Sequence, residues 1–138
     1  MIAAIANMRR LTIAVEVTAL IFLVGCSRQD TRLERHKKKL ESLGATTKVI
    51  ADAWLSGDVS TTYARTALDR TFYLVEQERA KLASRPEMLQ DTRGAALSEN
   101  AEQLSRLIAA IIGDVGSADD QSARQRLASL PIVPHKQP

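Results

Sequence analysis

The sequence predicts an all-α protein, an antiparallel up-down bundle of three long helices plus a short fourth, preceded by a helical signal segment. Three observations predict it. From Arg28 onward, apolar residues recur at steps of three and four in three separate runs, the spacing that lines one face of a helix. No stretch alternates apolar with polar residues as a half-buried strand does, and no tandem repeat is present. Aromatics make up only 4% of the 138 residues while Ala, Leu and Arg are frequent, which favours helix over sheet. Apolar residues at 45% and charged residues at 25% are ordinary for a globular chain and argue against both disorder and a polytopic membrane protein. The length allows one small domain with a single core.

The first element is the N-terminal segment. Met8, Arg9 and Arg10 form a positive start, with Met8 also a second candidate for initiation, and Leu11 to Val24 is apolar apart from Thr12, Glu16 and Thr18. That is the length of a signal-peptide apolar region. A permanent span needs about 20 apolar residues, and a central acidic residue costs about 2.5 to 3.5 kcal/mol, so the segment reads as a leader. It ends in Leu23-Val24-Gly25-Cys26, and Cys26 is the single cysteine, so an internal disulfide, a CxxC pair and a zinc finger are all ruled out. Leader and tetrapeptide together resemble bacterial lipoprotein precursors, whose lipobox sets a branched residue, a small or branched residue and Gly or Ala before an invariant Cys. The resemblance covers the first 26 positions only.

The resemblance implies that the Cys26 thiol takes a diacylglyceryl group, that residues 1–25 are cut away, and that the new amino group of Cys26 is N-acylated. Two or three acyl chains, at about 0.8 kcal/mol per buried methylene, make a stable membrane anchor where one is marginal. Glu16 departs from the usual pattern. Ser27 stands where the enteric members kept in the inner membrane carry Asp, which favours the outer membrane if the envelope has two. The expected layout is a removed signal peptide (1–25), a lipidated N-terminus and tether (26–32), the bundle domain (33–130) and a flexible Pro-containing tail (131–138).

The first bundle helix places Leu33, His36, Leu40, Leu43, Thr47, Ile50 and Trp54 on one seam, with Gly44 tolerated inside it and Gly57-Asp58 as the stop. The second, after candidate caps Asp58 and Ser60, carries Ala64, Leu68, Thr71, Val75 and Leu82, widened by Ala67, Phe72 and Leu74, and ends near Ala83. Ser84-Arg85-Pro86-Glu87 reads as a capping box before a short turn at Met88 and Leu89, and Asp91 is a further candidate cap. The third runs through Leu97, Ala101, Leu104, Ile108, Ile111 and Val115; it is the most apolar and is expected at the centre, loosened at its end by Gly113 and Gly116. Asp119-Asp120 start the short helix through Ala123, Leu127 and Leu130, closed by Pro131. Turns of a few residues force neighbouring helices to run antiparallel.

For chemistry the residues offer little. His36 and His135 are the only imidazoles, and no nucleophile elbow, phosphate loop or zinc-protease motif is present, so a non-enzymatic protein with neither metal nor cofactor is expected. The carboxylates Asp69, Glu76, Glu78, Glu99 and Glu102 read as solvated surface, and Trp54, Tyr63, Phe72 and Tyr73 as core. Arg28, Arg32, Arg35, Lys37, Lys38 and Lys39 set six positive charges against Asp30 and Glu34 close to the expected lipid, a cluster suited to anionic headgroups or else a solvated helix start. The net charge of +3 is too mild for nucleic acid, and no aromatics interleave with the basic run. The leading expectation is a lipid-anchored envelope module with an unknown protein partner, facing the periplasm. The alternative is a periplasmic bundle binding haem or a small apolar ligand near His36, with Met88 as the second axial candidate, and it predicts a cavity beside His36.

Overall fold

The structure, a computed structural model, describes the backbone of residues 2–131 and the side chains of residues 28–131. Residues 132–138, with His135 and most of the expected tail, lie outside the described residues, as do Met1 and the side chains of Leu23, Val24 and Cys26 around Gly25. The described residues form five helices and no strand: α1 (Ile2–Leu55), α2 (Thr61–Ala83), α3 (Pro86–Leu89), α4 (Thr92–Ser117) and α5 (Asp120–Ala128). The chain divides into two compact units, residues 1–35 and residues 36–138. The first is helical, and its Arg28, Arg32 and Arg35 are exposed.

The second unit is the bundle. From His36 onward, α1 buries Leu40, Leu43, Thr47, Ala51 and Trp54, α2 buries Ala64, Leu68, Thr71, Val75, Glu78 and Leu82, and α4 buries Leu97, Ala101, Leu104, Ile108, Ile111 and Val115. These are the expected seams at steps of three and four, except that Ala51 takes the buried place expected for Ile50, which is half-buried, and that Glu78 joins the α2 seam; each fully buried Leu, Ile or Val contributes about 1.5 to 3 kcal/mol against the entropy of ordering the chain. α1 and α2 are antiparallel: His36 and Lys39 meet Glu78 at one end, and Trp54 Nε1 donates to Thr61 Oγ1 (3.2 Å) at the other. α2 and α4 are antiparallel too, with Ser105 beside Glu76 and Gly116 beside the Arg65 guanidinium. The result is the expected up-down-up arrangement, with α4 central: it packs on α2, α3 and α5, and Gly44 of α1 lies against Leu104. α5 folds back along the end of α4, held by Arg126 Nε donating to Asp114 (2.7 Å).

The connections follow local rules, with two departures from expectation. Gly57 sits at φ +81°, the left-handed conformation that ends α1 at little cost only for glycine, and the Ser60 hydroxyl caps α2 by accepting from Tyr63 N–H. The capping box at Ser84 does not form. Ser84 instead closes α2, its hydroxyl donating back to the Lys81 carbonyl, and α3 begins on Arg85 without a side-chain cap, with Pro86 supplying a preset helical φ. Asp91 does cap α4, accepting from Arg93 N–H (3.1 Å). Gly113 and Gly116 do not loosen α4, which continues through both to Ser117 because its inner face is pinned by Ile111, Asp114 and Val115. It stops at Ala118, which takes the left-handed conformation (φ 55°), and Asp119 then caps α5 by accepting from Ser122 N–H.

Candidate functional site

Among the described residues, the charged group built most deeply into the bundle is the Glu78 carboxylate, whose side chain is only 2% exposed. Position 78 belongs to the α2 seam, three residues after Val75 and four before Leu82, so helix geometry turns it inward whatever its polarity. Its surface reading is therefore wrong. Three donors compensate it: His36 Nδ1 (2.8 Å), Lys39 Nζ (2.6 Å) and Lys81 Nζ (2.9 Å). Because an ionised carboxylate only accepts, the proton in the first of these bonds sits on His36 Nδ1. Burial alone pushes the Glu78 carboxyl up, but the bonds from Lys39, Lys81 and His36 together outweigh it and hold it down at about 2. The group has no proton to give above that pH, and it locks α1 to α2 in one register.

A second carboxylate pair links α2 to α4. The Ser105 hydroxyl donates to Glu76 Oε1, and Arg79 Nη1 spans both Glu76 oxygens (2.7 and 3.0 Å). The Ser105 bond, then the Arg79 bond, lower the Glu76 carboxyl, partly opposed by burial. Glu76 is thus half-buried rather than free surface. Asp114, 10% exposed and bonded by Arg126, is a third inward carboxylate that the sequence reading had not singled out.

The residues of the expected basic cluster separate into two roles. Lys37 and Lys38 are exposed, Lys37 with a long pair to Glu41 (4.0 Å), whereas Lys39 belongs to the Glu78 clamp. Of the aromatics, Trp54 is core and Phe72 half-buried, but Tyr63 and Tyr73 are about 60% exposed, so the expectation of an aromatic core is corrected for both tyrosines. They stand on different faces of α2, because ten residues turn a helix through about 280° beyond whole turns.

His36, the expected ligand of the alternative reading, already spends Nδ1 on Glu78, and Met88 is buried with its backbone carbonyl against Gly94. Open grooves among the described residues include two. One, about 490 Å³, runs between α1 and α5 and is lined by Lys48, Asp52, Leu55, Arg124, Leu127 and Leu130. The other, about 270 Å³, lies between α2 and α4 beside Glu76, Arg79, Ser98 and Glu102. His36 lines neither. Among the described residues no group of three His, Cys, Asp or Glu side chains is arranged to hold a metal ion. Among them, too, no helix is long and apolar enough to cross a membrane, a statement that leaves the Leu11 to Val24 stretch aside. The chain matches no family model, no curated protein and no solved structure.

Proposed function

We propose that the chain is a lipid-anchored, non-enzymatic protein of the cell envelope whose helical bundle serves as an interaction or structural module on the periplasmic face. The observation that carries this reading is the run Leu23-Val24-Gly25-Cys26, placed directly after a leader with Arg9 and Arg10 at its head. Export explains the leader, and acylation explains the single thiol. A diacylglyceryl group on Cys26 together with an N-acyl chain buries enough methylene to keep the protein on the bilayer. Ser27 directs it to the outer membrane where two membranes exist. The bundle is then what the lipid presents to a protein partner in the envelope.

Mass spectrometry of the mature N-terminus tests this. A first peptide beginning at Cys26 and carrying the diacylglyceryl and acyl masses is expected, and Cys26→Ala should abolish both the added mass and retention in the membrane fraction. An unmodified Cys26, or a leader still attached, rejects the proposal.

A further inference from the structure

We infer that one end of the bundle, which carries Lys37 and Lys38 of α1, Lys81 of α2, and Arg85 and Arg93 around α3, is a docking surface for anionic lipid headgroups. The inference rests on the anchored reading above and adds to it the face by which the bundle meets the bilayer.

Chain segments far apart in sequence build this end. His36 and Lys39 of α1 and Lys81 of α2 all bond to Glu78, which sets residues 36–39 beside the last turns of α2. Arg85 opens α3, and the Met88 carbonyl lies so close to Gly94 that the start of α4 is drawn to the same end. Charge is distributed unevenly along the bundle. With the carboxylates that pair with Lys37 and Arg79 included, residues 36–41 and 76–96 carry seven basic and five acidic side chains, while the opposite end, residues 48–66 and 111–130, carries four basic and five acidic. One of the five acids is Glu78, which is buried and shared by Lys39 and Lys81, both about half exposed (43% and 52%). Two surface ammonium groups over one buried carboxylate leave net positive charge facing outward.

Two further observations favour a lipid surface over an acidic protein. Leu89 of α3 is 37% exposed at this end, an apolar side chain of the kind that segments at the headgroup boundary present. The expected lipid on Cys26 is ten residues before His36. Whatever path those residues take, they span at most about 35 Å, so this end is always within reach of the bilayer. Each basic residue that comes within a Debye length of an anionic surface then raises the binding constant about fivefold.

The test uses the full chain purified from membranes and reconstituted into vesicles of phosphatidylcholine alone or with phosphatidylglycerol, reading the amine-labelling rate of each lysine by mass spectrometry. Labelling of Lys37, Lys38 and Lys81 should slow several-fold in the anionic vesicles relative to Lys48 at the opposite end, and should recover in high salt. In a K37Q/K38Q/R85Q variant the protection of Lys81 should fall as well, because the segments act as one surface. Equal labelling of Lys48 and Lys81, rates indifferent to lipid charge, or undiminished protection of Lys81 in the variant would each overturn the inference. The same spectra report the Cys26 peptide: loss of the lipid mass with charge-dependent protection retained would defeat the anchor and leave the docking surface standing.

Discussion

Glu78 occupies a seam position of α2 where a Leu or Val would ordinarily sit, and its place in the sequence marks it. The stripe Ala64, Leu68, Thr71, Val75, Leu82 lacks one member, and the missing step is 78. His36 is the matching polar member of the α1 seam. The two irregularities together were a signal of a buried pair, but sequence spacing within single helices does not say which seam positions face each other. Glu78→Gln keeps the volume and removes the charge, and should lower unfolding free energy by about 2 kcal/mol in urea titration, since charge-assisted hydrogen bonds contribute about 1.5 to 3 kcal/mol. The lysines can turn to water, which keeps the loss below that of a fully enclosed ion pair. The pH dependence follows from the lowered carboxyl. Its contribution is complete above the ordinary value of 4.5 and disappears as pH falls towards about 2, where the folded-state group is protonated. Acid titration followed by circular dichroism should show a loss of stability over that window, and Glu78→Gln should flatten it; an equally steep loss in the variant would assign the acid sensitivity to other carboxylates.

At the scale of elements, the helices were legible because each needs only its own period and its own punctuation. Ser60, Asp91 and Asp119 cap the helices they precede, and Gly57 ends α1, all through contacts within a few residues. The connection between α2 and α4 was harder, because Ser84 faces two competing partners and the preceding helix wins it. That connection also depends on Gly94, where an added Cβ would come within 1.8 Å of the Met88 carbonyl oxygen. Backbone cannot yield as a side-chain tip does. Gly94→Ala should therefore cost about 1 to 3 kcal/mol, the range for overpacking, measurable as a drop in Tm, and a neutral result would mean that α3 moves freely off α4. Ala118 offers the opposite case. It holds φ 55° without glycine's freedom, and Ala118→Gly should raise stability by about 1 kcal/mol.

On the scale of the whole molecule, burial is shared by all the helices of the second unit, and cooperativity should follow. Ile108 lies fully buried on the central helix. Ile108→Ala should cost about 2 to 5 kcal/mol through lost burial and a residual cavity. The fluorescence of Trp54, the only tryptophan, should report the same midpoint as far-ultraviolet circular dichroism, in the wild type and in the variant. Two separated transitions would show that α1 detaches before the rest of the bundle. The uneven charge along the bundle is likewise a property of the folded whole: Lys39 and Lys81 come together on Glu78 only when α1 and α2 pair.

The sequence by itself determined that the second unit is helical, where its seams lie and which residues cap most of its helices, because all of these are set by interactions within about four residues along the chain. It also carries the proposed address at Cys26, which is written in consecutive residues. Only the tertiary structure decided the roles of the polar groups. Glu78 turned out to be a buried clamp, Lys39 its partner rather than a free surface cation, Asp114 the hold on α5, and Tyr63 and Tyr73 exposed. The physical reason is that the energy of a charge depends on what surrounds it, and its surroundings come from helices many residues away.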